Sequence, residues 1–171
     1  MKYTNKKSGF TLLEILIYVA IFVMLAGVVI TSFTIVVGTF SNSQTNRDLQ
    51  ESGSTAMERM AREIRQASGV NVSNSVFSVT PGTLELDSTD GSGTARTVKF
   101  VYENNAIDMY YGGVLQGNLL GQNIVPTSLF FRNITTTSGS AIKIEMTIKD
   151  NKGKDHRTAN YYDTIILRSA Y

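Results

Sequence analysis

The chain has 171 residues and a formal net charge of +2, from 16 lysines and arginines against 14 acidic residues. It contains no cysteine, which excludes disulfide bonds, thiolate metal ligands and a cysteine nucleophile. The small net charge does not indicate direct nucleic-acid binding. About 100 residues follow the predicted N-terminal helix, which ends near Ser68, and they are enough for one modest hydrophobic core.

An apolar run extends from Ile15 to Ile30, interrupted only by one tyrosine and one glycine. About 20 apolar residues in a helix cover the roughly 30 Å hydrocarbon core of a bilayer, so the run predicts a membrane-spanning helix. The basic residues that precede it are Lys2, Lys6 and Lys7. The first basic residue after it is Arg47, so the charge asymmetry predicts a cytoplasmic N-terminus and an exterior C-terminal part.

Two simple interpretations compete for this run. A secretory signal peptide has a shorter apolar core that ends at a small-residue cleavage site, whereas Phe33, Ile35 and Phe40 continue the apolar character here. An ordinary single-pass anchor suits the length better but leaves Glu14 unexplained. An isolated carboxylate in hydrocarbon costs a few kcal/mol and is usually paired, so Glu14 requires a partner.

The segment Ser8-Gly9-Phe10-Thr11-Leu12-Leu13-Glu14, followed by an apolar helix, resembles the processing signal of type IV prepilins and type II secretion pseudopilins. The resemblance implies that residues 1–9 are a leader. It also implies that a membrane-embedded prepilin peptidase cuts after Gly9 and methylates the new amine of Phe10. Further partners implied are other pilin or pseudopilin subunits, an inner-membrane assembly platform and, before assembly, membrane lipid.

Cleavage at this point would supply the partner that Glu14 lacks. It creates an ammonium group at Phe10, one helical turn away, and an opposite charge offsets the desolvation of the carboxylate. The partner is either the chain's own amine or that of a neighbouring subunit, and the resemblance implies the neighbour, with the pair setting the axial register of a filament. Glycine at position 9 would let an extended backbone pass closely through a peptidase cleft. Loss of the three leader lysines leaves 13 basic residues against 14 acidic ones.

One long helix is predicted from Phe10 to Ser68, hydrophobic over residues 10–40 and amphipathic over residues 41–69. Glu58 with Arg62, and Arg59 with Glu63, are expected to form pairs on its exposed side. The predicted buried stripe consists of Leu49, Gly53, Ala56, Met57, Met60, Ala61, Ile64 and Ala67.

Three features distinguish this chain from many main pilins. The helix has no proline near Thr31, the C-terminal part has no disulfide, and the segment Arg62–Ala67 resembles the corresponding helix of J-type minor pseudopilins and related minor pilins. The resemblance therefore implies a minor or tip-forming subunit.

Residues 70–171 predict an antiparallel β head laid against the helix, which makes the fold class α+β. Short β-type runs alternate there with turn-forming residues, and no helical crossovers of a parallel nucleotide-binding fold are predicted. The predicted strands are Val76–Val79, Thr83–Leu86, Thr97–Tyr102, Ala106–Tyr111, Ser128–Asn133, Ala141–Lys149 and Asn160–Arg168.

No segment of the head has the full sequence pattern of a known ligand site. Asp87, Asp90 and Gly91 form a loop with a partial likeness to calcium-binding loops, but a hairpin turn explains their composition better. The acidic residues Asp150 and Asp155 are interleaved with lysines and are expected in a solvated turn. For the rest, His156 lacks metal-binding neighbours, and the pairs Tyr110-Tyr111 and Tyr161-Tyr162 offer either stacking platforms or cover for sheet edges.

The sequence thus predicts a structural protein, with no catalytic residue, cofactor or metal site. It is expected to be a precursor in the cytoplasmic membrane that is cleaved and then enters an extracytoplasmic pilus or pseudopilus. Its site residues are Gly9 and Phe10 for cleavage, Phe10 for methylation and Glu14 for the assembly ion pair. The alternative is an uncleaved, membrane-anchored binding domain or enzyme. Secretion, DNA uptake, adhesion and motility all remain open as tasks of the filament.

Overall fold

The computed structural model describes residues 9–136, 139–152 and 156–167. It divides into two compact units, an N-terminal unit of residues 1–43 and a C-terminal unit of residues 44–171. One helix, α1 (Leu12–Gln66), contributes to both units. The predicted helix from Phe10 to Ser68 is therefore confirmed to within two residues at each end.

The N-terminal unit contains the apolar part of α1. Its most apolar stretch has a mean hydropathy of 2.7 and is long enough to cross a membrane, and none of that stretch is buried within the structure. The threonines of this part satisfy their own hydroxyl groups, because Thr31 Oγ1 donates to the Gly27 carbonyl at 2.9 Å and Thr39 Oγ1 to the Ile35 carbonyl at 2.9 Å. Internal hydrogen bonds of this kind let polar side chains lie in an apolar environment.

In the C-terminal unit, the amphipathic part of α1 buries one stripe of small and apolar residues. The predicted members are all buried, and they are Leu49, Gly53, Ala56, Met57, Met60, Ala61, Ile64 and Ala67. Gly53 has a specific reason to lack a side chain, since an added Cβ would lie 2.2 Å from a ring carbon of Tyr161. That ring is held in place by its hydroxyl, which donates to the Leu49 carbonyl at 2.9 Å.

Two antiparallel sheets form the rest of this unit, where a single sheet was predicted. The first has five strands in the order β1-β2-β3-β4-β5, and the second has three in the order β6-β7-β8. The strands are β1 (Gly69–Val70), β2 (Thr83–Thr89), β3 (Ala95–Glu103), β4 (Ala106–Tyr111), β5 (Val114–Asn118), β6 (Ile124–Thr136), β7 (Gly139–Asp150) and β8 (Thr158–Ile166). A short 3-10 helix, Val72–Asn74, follows β1.

The core lies between the helix stripe and the inner faces of both sheets. Alternation along β7 is as predicted, with Ile142, Ile144, Met146 and Ile148 fully buried and the intervening residues facing outward. They share one apolar cluster with Phe100 of β3 and with the α1 stripe. The fold class is α+β, with one long N-terminal helix packed against antiparallel sheets.

One predicted strand was wrong, and two strands were missed. The segment Val76–Val79 is not a strand but makes a single bridge, from Val76 to Thr83. From Ser78 onward the chain runs along the free edge of β6. The Ser78 amide donates to the Phe131 carbonyl at 2.9 Å, and the Gly82 amide donates to the Leu129 carbonyl at 3.0 Å. This irregular segment therefore covers an edge that would otherwise be unpaired. Conversely, the two-residue strand β1 and the strand β5 were not predicted.

The pair of Arg59 and Glu63 was wrongly placed on the exposed side. Glu63 is only 3% exposed, and its carboxylate lies 3.4 Å from Arg59 and 3.4 Å from Arg96 of β3. It also accepts a hydrogen bond from the Tyr111 hydroxyl at 2.7 Å, and the Arg96 guanidinium lies 4.2 Å from the centre of that ring. Burial and the hydrogen bond to Glu63 raise the pKa of Tyr111 above its usual value. The cluster attaches α1 to the five-stranded sheet.

The two ion pairs of this helix, one buried and one exposed, allow the effect of burial on stability to be compared. Glu63→Ala is expected to lower the free energy of unfolding by about 2–4 kcal/mol, because it leaves two guanidinium groups and a phenol without their shared acceptor. Glu58→Ala removes an exposed pair with Arg62, with a separation of 2.9 Å and side-chain exposures of 71% and 53%, and should change stability by less than about 0.5 kcal/mol. Urea denaturation of both variants measures the difference, and equal effects would show that the buried cluster contributes no more than a surface pair.

Candidate functional site

The start of α1 is set by a threonine cap. The Thr11 carbonyl accepts the first helical hydrogen bond from the Ile15 amide at 3.3 Å, and Thr11 Oγ1 accepts a further one from the Glu14 amide at 3.3 Å. Threonine at the cap with glutamate three residues later is the pattern of a capping box. The helix consequently begins at Leu12, and the peptide bond between Gly9 and Phe10 lies outside it, free of intrahelical hydrogen bonds.

Both residues of this peptide bond are exposed, and the Phe10 side chain has 71% of its surface accessible. A Cβ added to Gly9 would meet no atom within 4 Å. The described part of the chain therefore places no steric restriction on position 9. No contact with a described residue requires glycine at this position.

The side chains of Phe10, Glu14 and Tyr18 lie on one face of the chain start, at spacings of four residues. The Tyr18 hydroxyl donates a hydrogen bond to Glu14 Oε1 at 3.0 Å. Its ring meets the Phe10 ring edge to face, with centroids 6.3 Å apart and planes at 74°. Sequence reasoning identified Phe10 and Glu14 but treated Tyr18 as no more than an interruption of the apolar run. The spacing of four residues from Glu14 is the signal that identifies it.

Glu14 is half-buried and occupies the first turn of α1. The unpaired amides at a helix N-terminus carry partial positive charge, which favours a carboxylate there by about 0.3–1 kcal/mol. Within residues 9–136, 139–152 and 156–167, Glu14 forms no ion pair, and the Tyr18 hydroxyl is its side-chain partner. An intact chain therefore gives this carboxylate a neutral donor and the helix terminus, but no full positive charge among these residues.

The turn between β2 and β3 contains Asp90 and Gly91, whereas Asp87 lies within β2. Asp90 Oδ1 accepts the amides of Ser92 at 2.9 Å and Thr94 at 2.8 Å, so this oxygen already serves the β2–β3 connection. Asp87 lies in β2, where its carbonyl accepts the Ser68 amide at 2.8 Å. No group of three or more histidine, cysteine or acidic side chains suited to a metal ion occurs among the described residues. Asp90 thus stabilises the turn between two strands, and Asp87 is part of a strand.

The second acidic segment was expected in a solvated turn, but Asp150 is 4% exposed. It closes β7, where its amide donates to the Arg157 carbonyl at 2.9 Å and its Oδ1 accepts the Lys152 amide at 3.0 Å. Its carbonyl lies 3.2 Å from Nδ1 of His156, which is exposed. Asp155 lies outside the described residues. Asp150 is buried because it continues the inward-facing alternation of β7, two residues after Ile148.

Each tyrosine pair divides between a packed ring and a more accessible one. Tyr111 joins the buried cluster around Glu63, and Tyr161 packs on Gly53. Tyr110 donates to Glu103 at 2.5 Å, which raises the pKa of Tyr110 to about 12. Tyr162 is 66% exposed on the outer face of the three-stranded sheet. The inner rings thus have structural roles.

One comparison with known proteins identifies the N-terminal segment. The family model of the prokaryotic N-terminal methylation motif matches residues 4–30, a range that includes the exposed Gly9–Phe10 bond, Glu14 and Tyr18. No curated protein and no solved structure matches the chain. The chain therefore carries a prokaryotic N-terminal methylation motif, consistent with the signal of type IV prepilins and pseudopilins, and this motif supports a pilin or pseudopilin precursor.

Proposed function

We propose that this chain is the precursor of a minor subunit of a type IV pilus or a type II secretion-type pseudopilus. Prepilin peptidase cuts it after Gly9 and methylates the amine of Phe10, and the mature chain then joins the filament. The observation that carries the proposal is the methylation motif at residues 4–30, with its candidate cleavage bond exposed just outside a capped apolar helix.

The apolar part of α1 supports insertion and assembly. Its large side chains are exposed throughout, from Leu12 at 82% to Phe40 at 78%. A contiguous apolar surface of this size in water would be an aggregation liability, so it requires a partner. Lipid covers it first, with the N-terminus inside the cell and the C-terminal unit outside. The equivalent helices of other subunits cover it after assembly.

The place within the filament rests on the sequence of α1. The helix has no proline, since the two prolines of the chain are Pro81 and Pro126, and the segment Arg62–Ala67 resembles J-type minor pseudopilins. We therefore propose a minor, tip-forming role. This chain contributes no catalytic group of its own, because the peptidase and the assembly ATPase supply the chemistry while the chain supplies the substrate bond, the helix and the head.

The alternative function is an uncleaved, membrane-anchored binding domain or enzyme. Cells that produce the full chain, with and without an active prepilin peptidase, are fractionated into membranes and sheared filaments, and the chain is detected with an antibody against residues 44–171. A shortened chain in the filament fraction, present only when the peptidase is active, is expected. Full-length chain confined to the membrane in both strains would support the anchored domain instead.

A further inference from the structure

Tyr18 is the one aromatic hydroxyl within the apolar run from Ile15 to Ile30. We propose that it is a positioning residue for Glu14, an inference that rests on the proposed function. Its hydroxyl holds one carboxylate oxygen in the membrane-inserted subunit and leaves the other for the N-terminal ammonium of a neighbouring subunit.

The geometry follows from helix periodicity. Residues four apart lie on the same face, and helical side chains tilt towards the N-terminus, so a tyrosine at position 18 extends over position 14. The 3.0 Å distance from the Tyr18 hydroxyl to Glu14 Oε1 is that of an ordinary hydrogen bond. The Phe10 ring lies at the edge of the Tyr18 ring, so one side chain contacts both the carboxylate and the residue whose amine is freed by cleavage.

The environment makes this hydrogen bond matter. A carboxylate in hydrocarbon without a donor is strongly disfavoured, and hydrogen bonds to an ionised acceptor are about twice as strong as neutral ones. Among the residues that the structure describes, no other side chain donates to Glu14. Tyr18 therefore supplies the hydrogen bond that keeps the carboxylate oriented before a cationic partner arrives.

A neutral donor suits this role better than a charged one. Lysine or arginine at position 18 would neutralise Glu14 within its own chain and remove its attraction for an incoming ammonium. A phenol donates one hydrogen bond without compensating the charge. An ionised carboxylate has room for several donors on its two oxygens, so Oε2 remains for the neighbour's amine while Oε1 is held.

Tyr18→Phe tests the proposal, because it removes the hydroxyl and keeps the ring against Phe10. Leader removal is expected to be unchanged, while the ratio of mature subunit in sheared filaments to that in membranes falls about tenfold, the effect of one hydrogen bond to a charged group. The matched control is Tyr18→Phe combined with Val19→Tyr, which restores one tyrosine at a position five residues from Glu14, out of reach. It should assemble as poorly as Tyr18→Phe.

A spectroscopic measurement separates positioning from packing. In lipid vesicles, the infrared carboxylate band of protein labelled with 13C-glutamate should shift between the unsubstituted chain and Tyr18→Phe. The same comparison made in a Glu14→Ala background should show no shift. Normal assembly of Tyr18→Phe, or a shift that persists without Glu14, would overturn the proposal. Normal assembly of Glu14→Ala would instead refute the assembly ion pair of the proposed function. That result differs from normal assembly of Tyr18→Phe alone, which would refute only the positioning role of Tyr18.

Discussion

Glu14→Ala is expected to leave leader removal intact and to lower incorporation of the mature subunit into filaments by about 100-fold or more. Breaking a desolvated ion pair by removing one partner costs about 3–5 kcal/mol, and each 1.4 kcal/mol is a factor of ten. The lost partner here is the acceptor of the Phe10 ammonium, which would lie in the apolar filament core without a counter-charge. The ratio of mature chain in sheared filaments to that in membranes measures the effect.

Two further variants identify the cause of this loss. Glu14→Gln keeps an oxygen that can accept the Tyr18 hydroxyl but carries no charge, so it should assemble about as poorly as Glu14→Ala. Glu58→Ala removes a carboxylate from the exposed side of the C-terminal part of α1, where side-chain exposure is 71%, and should assemble normally. Normal filament incorporation of Glu14→Ala would refute an assembly role for this carboxylate.

Gly9→Val is expected to abolish leader removal, so that the full-length precursor accumulates in the membrane. The described residues leave open space around position 9, and the substitution should therefore not disturb the chain's own structure. A β-branched side chain would instead obstruct the close passage of an extended backbone through the peptidase cleft. The size of the chain in membrane fractions, compared with and without active prepilin peptidase, shows whether the leader is removed.

Gly38→Val is the matched control, because a Cβ added at that position also meets nothing within 4 Å. It lies within α1, far along the chain from the cleavage bond, and should be processed at the normal rate. Urea denaturation should give the same unfolding curve for the C-terminal unit in the unsubstituted chain, in Gly9→Val and in Gly38→Val. Efficient removal of the leader from Gly9→Val would place the cleavage site elsewhere.

The local sequence pattern was sufficient to predict the helix and most of the strands. The spacing of Leu49, Met60 and Ile64 predicts the buried stripe because helical periodicity depends only on neighbours along the chain. The alternation in Ala141–Lys149 predicts the central strand of the second sheet for the same reason. Local pattern does not say how strands are distributed between sheets, and two sheets were found where one was expected.

Misplaced residues share a dependence on distant partners. Glu63 is buried because Arg96 and Tyr111, far along the chain, supply its counter-charge and donor. Val76–Val79 has the composition of a strand, yet its continuation through Gly82 follows the edge of β6 instead. None of these partners can be read from the neighbouring sequence.

The sequence motif identifies Gly9, Phe10 and Glu14 as the residues of the candidate site. The structure adds how they are arranged. It shows that Thr11 caps the helix, so that the candidate cleavage bond lies outside it, and that Tyr18 donates to Glu14. Both contacts span only three or four residues. They were within reach of sequence reasoning, since threonine followed three residues later by glutamate, and tyrosine four residues after glutamate, are recognisable helix patterns.

Cleavage after Gly9 is proposed to make the functional form of this chain. Its most direct test is N-terminal sequencing, together with intact-mass measurement, of the protein purified from cells with an active prepilin peptidase. The account predicts a chain that begins at Phe10 and carries one methyl group on its amine. A chain that still begins at Met1 in those cells would contradict it.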